Sequence, residues 1–336
     1  MENHKKHKKF MQRCFDLAIK SLGYTYPNPL VGCVIVNDER IISEGWHKKA
    51  GKNHAEVIAI KKIKEKKELE KSTLYVNLEP CNHKGKTPPC TDLIIKSGIK
   101  NVVIGCLDPN IRVNGKGVEK LKKNGINVTV GVCEHQAKDL NKRFFCFHEK
   151  KRPYITLKWA ESKDGFIGPI KKNNNKGKVN YLTKMKNQIL VHKWRKEEES
   201  ILIGVQTLID DNPKLTNRHT KGRSPIKIIF DPNDRANKNS DLFKSNNLLH
   251  ITNKKLKIKK NNDKNIFLKK ALKFLYNYQI SSILVEGGSF TIQEFIDQKI
   301  FDEIRIFQTR KKLNFGTRAP KLGENNRGKK IKIYNS

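Results

Sequence analysis

Glu79-Pro80-Cys81-Asn82-His83-Lys84-Gly85-Lys86-Thr87-Pro88-Pro89-Cys90, read together with His54-Ala55-Glu56 upstream, is the stretch that decides how this chain folds. A strand signature, Thr73–Leu78, runs into the first cysteine. A helix is predicted over Pro89–Ser97, with Thr87 as N-cap and Pro88 at the first helical position, where a missing N–H costs nothing. Ala55–Ile63 also reads as a helix. Imidazole and thiolate are zinc donors, and a catalytic zinc keeps one tetrahedral position open for water. His54, Cys81 and Cys90 supply three ligands and leave that position free. Such an ion brings the pKa of water towards neutrality. Glu56, two residues past His54, points away from the ligand and suits a proton shuttle. A helix start near each cysteine favours thiolate. His-Ala-Glu alone usually just opens a helix, and Pro-Cys alone usually packs. The signal lies in their order and spacing. A closed structural zinc is the competing reading, with Cys33 or His83 as a fourth ligand.

Outward from this stretch, strands and helices alternate. Residues 10–22 carry Phe10, Cys14, Leu17, Ala18 and Leu22 at helical spacing. Val31–Val36 and Arg40–Trp46 flank Asn37-Asp38-Glu39 as a hairpin. Asn101–Leu107 and Ile126–Val132 read as strands around a helix at Val118–Asn124. This predicts an α/β layered domain over residues 1–150. The chain turns basic and meets a proline at His148–Pro153, and a second α/β series follows over 151–336. Its strands read as Tyr154–Trp159, Ser200–Val205, Ile226–Phe230, Ser282–Val285 and a final clear one, Glu303–Phe307. Helices are predicted at Lys184–Lys196, with Ile189, Leu190 and Trp194 along one face, and at Phe290–Asp297. The Asn/Lys-rich stretches 171–178 and 254–265 read as solvated loops. No G-x-G-x-x-G follows a strand, so a Rossmann domain is not indicated. Instead Glu286-Gly287-Gly288-Ser289 sits between a strand and a helix, where glycines let backbone N–H groups approach a pyrophosphate.

At roughly 100–200 residues per domain, 336 residues fit two domains. The net charge of +37 raises nucleic-acid binding as a class. The lysines are scattered rather than gathered on one face or arm, and Asn and Ile are abundant with them. That pattern reads as compositional bias with a general attraction for phosphorylated anions, and no specific nucleic-acid partner is expected. No apolar run approaches the ~18 residues of a membrane span, so no membrane partner is expected. Met1–Phe10 has no apolar region behind it and does not read as a secretory signal, so the expected location is cytoplasmic. Seven thinly spread cysteines, an odd number, read as reduced thiols.

The general zinc-deaminase pattern, H-x-E followed by P-C-x-x-C, has two residues between its cysteines. Here there are eight. With that spacing the string Glu79–Cys90 resembles the bifunctional deaminase/reductase family of riboflavin biosynthesis. So do Pro27-Asn28-Pro29-Leu30-Val31-Gly32-Cys33-Val34, Gly51–Val57 and Asp108-Pro109-Asn110. In the second half the similarity rests on Pro153–Lys158, Ser162–Gly165, Tyr181–Thr183, Gly204–Leu208, Asp211–Thr216 and Val285–Gly288. The resemblance implies a cytidine-deaminase-like α/β/α layered domain followed by a dihydrofolate-reductase-like α/β domain. It implies hydrolytic deamination of 2,5-diamino-6-ribosylamino-4(3H)-pyrimidinone 5′-phosphate, with one zinc ion per deaminase domain. Reduction of the ribosylamino side chain to ribitylamino by NADPH would follow. On this likeness Asn28, His47, Lys86, Thr87, Asp108 and Asn110 line the deaminase substrate pocket. Ala160, Thr207, Asp211, Gly287 and Gly288 contact the cofactor, and Lys158, Leu215, Arg218 and Glu286 contact the reductase substrate. A phosphorylated pyrimidine is the implied partner, and a homo-oligomer the expected assembly.

The likeness also has departures. Lys171–Asn180 replaces a small-residue stretch, and Thr309-Arg310-Lys311 replaces an Ala-Pro-Lys segment. The chain stops near Tyr334, before a last strand, so a C-terminally shortened reductase domain with an open sheet edge is expected. These departures set up an alternative in which only the deaminase works. A tRNA or single-strand nucleobase deaminase would need C-x-x-C spacing and stacking aromatics, which the sequence lacks.

Overall fold

The computed structural model describes residues 2–83, 88–170, 182–259, 265–323 and 329–336. The chain divides into two compact units, Met1–Lys150 and Lys151–Ser336. The first unit runs α1 (Glu2–Ala18), β1 (Gly32–Asn37), β2 (Arg40–Trp46), α2 (Ala55–Ile60), α3 (Lys66–Glu70) and β3 (Thr73–Leu78). It continues with α4 (Cys90–Ser97), β4 (Asn101–Cys106), α5 (Lys116–Lys123), β5 (Asn127–Val130), α6 (Glu134–Leu140) and α7 (Lys142–Lys150). Its sheet has the order β2-β1-β3-β4-β5. The hairpin and the β1–β3 pair are antiparallel, and β3, β4 and β5 are parallel.

Side chains alternate across a strand, and here both faces are covered. Cys33, Ile35, Leu74, Val76, Val102 and Ile104 pack against Ala55, Ala59, Ile94 and Leu121 from α2, α4 and α5. Their neighbours Val34, Val36, Tyr75 and Val103 face Phe10, Met11, Cys14 and Leu17 of α1 and Ala137 and Phe145 of α6 and α7. The result is an α/β/α sandwich. α1 starts eight residues before the sequence-predicted helix, because lysine is a good helix former, and His7 in the added stretch meets the Tyr75 hydroxyl at 2.9 Å.

The second unit runs β6 (Tyr154–Glu161), β7 (Phe166–Gly168), α8 (Met185–Glu197), β8 (Ser200–Gly204), α9 (Val205–Asp211), β9 (Ile226–Phe230) and β10 (Leu248–Ile251). Then come α10 (Ile266–Asn277), β11 (Ser282–Val285), α11 (Ser289–Asp297), β12 (Glu303–Gln308), β13 (Thr317–Arg318) and β14 (Lys330–Asn335). Seven strands form a parallel sheet in the order β10-β9-β8-β11-β6-β12-β14, and β13 and β7 make a small antiparallel ribbon. One face buries Ile155, Leu157, Ile283, Val285 and Ile304 under α10 and α11. On the other, Leu284 and Phe307 pack on Val191 and Trp194 of α8.

The open edge expected beside Glu303–Phe307 is a correction. β14 pairs with β12 from Glu303↔Lys330 to Gln308↔Asn335. Tyr334 seats it, with its ring centroid 5.2 Å from both Trp194 and Phe307. Lys330-Ile331-Lys332-Ile333 has the period of a strand, but its lysines make it read as a basic tail. Lysine on the outermost strand is how a sheet edge is kept from pairing further.

Candidate functional site

In the first unit, His54 is the cap residue of α2, with extended backbone (φ −71°, ψ 164°), and Glu56 lies in the first turn. α2 sits tightly on β2 at Gly45, where a Cβ would stand 2.3 Å from the Ala55 carbonyl oxygen. Cys81 follows β3 in a loop rather than at a helix start, and Cys90 opens α4 with Pro89 as its cap residue. The helix therefore excludes Pro88. A residue preceding a proline is kept extended, and Pro88 precedes Pro89. Thr87 lies outside the described residues.

His54 Nδ1 is 3.2 Å from Cys90 Sγ and 3.5 Å from Cys81 Sγ, and the Cys90 backbone N–H donates to Cys81 Sγ at 3.4 Å. Zinc bonds of about 2.0–2.3 Å at tetrahedral angles require ligand–ligand edges of about 3.5 Å, so the donor set fits that ion. Neither Cys33 nor His83 joins this group among the described residues. Hydrogen bonding with Cys90, and then His54, holds the Cys81 thiol down to about 4. A divalent cation would draw Cys90 to thiolate as well. Glu56 is buried, and burial pushes its carboxyl up. Its Oε2 has no hydrogen-bond partner among the described residues. A buried carboxyl group with an uncommitted oxygen beside a metal-type donor set is equipped to carry protons.

His47, just past β2, is buried, with its ring edge-on to His54 at 5.4 Å. Its Nδ1 lies 3.1 Å from the Asn53 carbonyl oxygen, which can only accept, so Nδ1 donates. Nε2 then accepts from the Asn28 amide at 3.1 Å, and burial lowers the ring's pKa and keeps it neutral. The segment carrying Asn28 is pinned by two buried amides. Asn141 takes the Leu30 N–H at 2.8 Å, and Asn77 takes the Gly32 N–H at 2.7 Å. Asp108 follows β4, the neighbour of β3, and burial pushes its carboxyl up to about 7. Its Oδ1 accepts the Asn110 N–H at 2.8 Å. Cys81 and Asp108 thus leave the carboxyl ends of adjacent parallel strands, where such sheets form ligand crevices. Lys86, like Thr87, lies outside the described residues.

In the second unit, Lys158, Ala160, Thr207, Asp211, Leu215, Arg218, Glu286, Gly287 and Gly288 all line one cavity of about 250 Å³. It is gathered at the carboxyl ends of β8, β11 and β6, where strand order reverses. The chain steps outward through β8, β9 and β10, then returns to insert β11 between β8 and β6. Gly288 donates its N–H to Thr207 Oγ1 at 2.8 Å. A Cβ on Gly287 would stand 3.1 Å from the Gly204 nitrogen, and one on Gly288 3.1 Å from Thr207 Oγ1. Only bare backbone fits comfortably there, at the start of α11, which suits a pyrophosphate. Thr183 and Leu182 also line the cavity, and Tyr181 lies outside the described residues. The atypical segment at Thr309–Lys311 still docks: the Thr309 N–H donates to Glu161 at 3.0 Å, and Lys311 accepts the Lys163 N–H at 2.9 Å.

Two cavity residues escaped the sequence reading. Arg195 clamps Glu286 with bonds of 2.8 and 3.0 Å, and Lys158 adds a third at 3.5 Å. Against the upward push of burial, Arg195 and then Lys158 hold the Glu286 carboxyl down to about 2. His192 accepts the Arg218 backbone N–H on Nδ1 at 2.8 Å. Burial, then the charge of Arg195, lowers its pKa to about 4. The buried face of α8 includes Leu190 and Trp194 of the predicted face but not Ile189. Val191, His192 and Trp194 are buried, whereas Ile189 is 44 % exposed. Polar residues three apart on the buried side of a helix were the signal available.

Residues 4–106 match the family of the cytidine and deoxycytidylate deaminase zinc-binding region, and residues 153–313 match the RibD C-terminal domain. The chain is 41 % identical over 328 residues to the riboflavin biosynthesis protein RibD of Aquifex aeolicus, covering 94 % of this chain and 90 % of that one. It is 37 % identical over 324 residues to RibD of Buchnera aphidicola, covering 89 % and 85 %. Among solved structures, it resembles the diaminohydroxyphosphoribosylaminopyrimidine deaminase/5-amino-6-(5-phosphoribosylamino)uracil reductase of Thermotoga maritima. That likeness has a TM-score of 0.83 and 39 % identity, over 94 % of this chain and 90 % of that one.

Proposed function

The chain belongs to the bifunctional deaminase/reductase family of riboflavin biosynthesis, and from that membership we propose which of its residues carry the two reactions. In the first, 2,5-diamino-6-ribosylamino-4(3H)-pyrimidinone 5′-phosphate exchanges its ring 2-amino group for oxygen from water and releases ammonia. His54, Cys81 and Cys90 hold one zinc ion per deaminase domain. The ion supplies the acidification that makes water a nucleophile near neutral pH. Glu56 takes a proton from the attacking water and returns it to the departing amine. Asn28 and His47 hold one part of the ring, and Asp108 and Asn110 read its N–H and C=O edges. Lys86 and Thr87 take the phosphate end. The observation that carries this reading is the His54–Cys81–Cys90 triangle beside a buried Glu56 oxygen that no described residue satisfies.

In the second reaction NADPH supplies a hydride to the ribosylamino side chain, giving the ribitylamino product. Thr207, Asp211, Ala160, Gly287 and Gly288 cradle the cofactor. Lys158, Leu215, Arg195 and Glu286 orient the substrate, and Arg218 takes its phosphate. The deaminase-only alternative has no support in the cavity, which brings together every residue named above for the cofactor and the reductase substrate. The cytoplasm is the proposed location, in keeping with seven free thiols and with no described helix long and apolar enough to cross a membrane. The test is the Cys90→Ala chain, assayed for metal and for both half-reactions. The expected result is loss of zinc and ammonia release, with NADPH oxidation retained on the deaminated intermediate. Stoichiometric zinc in that variant contradicts the ligand assignment.

A further inference from the structure

We propose that Glu79 is a positioning residue for the deaminase substrate, tying the loop that carries Asp108 and Asn110 to the strand end that carries Cys81. The inference rests on the reading that Asp108 and Asn110 contact the pyrimidine. Glu79 is 3 % exposed and lies between β3 and Cys81. Its Oε2 accepts the backbone N–H of Asp108 at 3.2 Å and of Gly115 at 2.9 Å. Its Oε1 accepts the N–H of Gly117 at 2.9 Å and of Val118 at 3.2 Å. Both oxygens are therefore committed to backbone donors, so the carboxylate acts on substrate only through the loop. The last two donors lie in the first turn of α5, whose N–H groups need an acceptor. A helix normally finds that acceptor in its own cap side chain. Here the cap residue is Gly115, in the left-handed region at φ 87°, with no side chain to offer.

The cap is thus supplied from a neighbouring strand end, by the residue two before a proposed metal ligand. Gly117 makes the contact closer still. A Cβ there would stand 2.4 Å from the Pro80 carbonyl oxygen and 3.0 Å from Glu79 Oε1. The start of α5, the Asp108 turn and the Glu79-Pro80-Cys81 turn are therefore one bonded assembly. Displacing Glu79 moves the substrate-reading side chains relative to the metal ligands. A local cap on α5 would stabilise the helix without setting that distance.

The test uses the zinc-loaded full chain with Glu79→Gln, whose amide N–H₂ faces donors and loses part of the set. Losing charged hydrogen bonds of this kind shifts KM for the diaminopyrimidinone phosphate upward by about tenfold. The same variant keeps kcat within about threefold, as expected when uniform binding is lost. Zinc content and NADPH-dependent reduction of the deaminated intermediate stay unchanged. Glu79→Asp, which keeps the charge but shortens the reach to the same donors, moves KM in the same direction and serves if Glu79→Gln does not fold. An unchanged KM, or parallel loss of both activities, overturns the proposal and leaves Glu79 as a stabilising cap. Asn110→Ala separates the two levels of inference. If it leaves KM unchanged, the substrate-contact reading fails. If it raises KM while Glu79→Gln does not, the positioning role alone is wrong.

Discussion

The metal-type site of the first unit and the cofactor-type cavity of the second are built in opposite ways. The first takes three donors from one short span of chain, each fixed at an element boundary: His54 before α2, Cys81 after β3 and Cys90 at the start of α4. The second collects its lining from β6 to the cap residue of α11, most of its unit. They also differ in charge. The first sets two thiols and a buried carboxyl group with an unsatisfied oxygen beside one imidazole, a donor set that suits a cation. The second sets two cations, Arg195 and Lys158, on one carboxylate, Glu286, and so keeps an excess of positive charge that suits a phosphorylated ligand. A site defined by donors close in sequence is written as a motif. A site defined by packing at strand ends is written mainly in the fold.

This contrast predicts where each half breaks. The largest effect falls on the first site: Glu56→Gln should cut ammonia release by about 10²–10⁴-fold while zinc is retained, since an amide cannot shuttle protons. Near-normal turnover would remove Glu56 from that role. Next is Glu286→Gln, which leaves two buried cations facing a neutral group. Removing one partner of a buried ion pair costs about 3 kcal/mol or more. Hydrogen exchange on the full chain should register that loss in residues 151–336 and leave residues 1–150 protected as before. Equal loosening of both units would contradict the contrast.

A smaller effect comes from the cofactor. NADPH at a hundredfold excess over its Kd should stabilise the native second unit by about 2.7 kcal/mol. Absence of any protection at millimolar NADPH would revive the deaminase-only alternative. The smallest effect is titration of His192, which faces Arg195, His219, Arg218 and Glu286. Its folded pKa of about 4 lies below the unfolded value of about 6.5, so the unfolded chain takes up the proton first as pH falls. Its contribution is fully present above pH ~6.5 and lost progressively down to pH ~4. His192→Asn keeps an acceptor for the Arg218 N–H without titrating, and should flatten that slope.

The same contrast explains what was legible in the sequence. His54, Glu56, Cys81 and Cys90 could be named because zinc chemistry restricts both residue type and spacing. The alternation of buried runs such as Thr73–Leu78 and Ser282–Val285 also reads directly, because both faces of these strands are covered. Arg195 and His192 offer only a three-residue spacing, whose meaning depends on which side of α8 meets the cavity. β14 was missed because an edge strand carries charge where an inner strand carries aliphatics. Glu79 reads in sequence only as the residue before Pro80-Cys81. Its four backbone donors come from positions 29 to 39 residues further on, and only the fold brings them to it.

The central claim is that one chain performs both reactions, at two separately built sites. It is tested most directly by giving the purified protein the diaminopyrimidinone phosphate and following ammonia and NADPH together. Without NADPH, ammonia should appear mole for mole with substrate lost, and the deaminated aminouracil should accumulate. With NADPH, oxidation of the cofactor should match ammonia mole for mole as the ribitylamino product forms. Ammonia release with no NADPH oxidation, or NADPH oxidation on the starting compound without ammonia, would contradict the account.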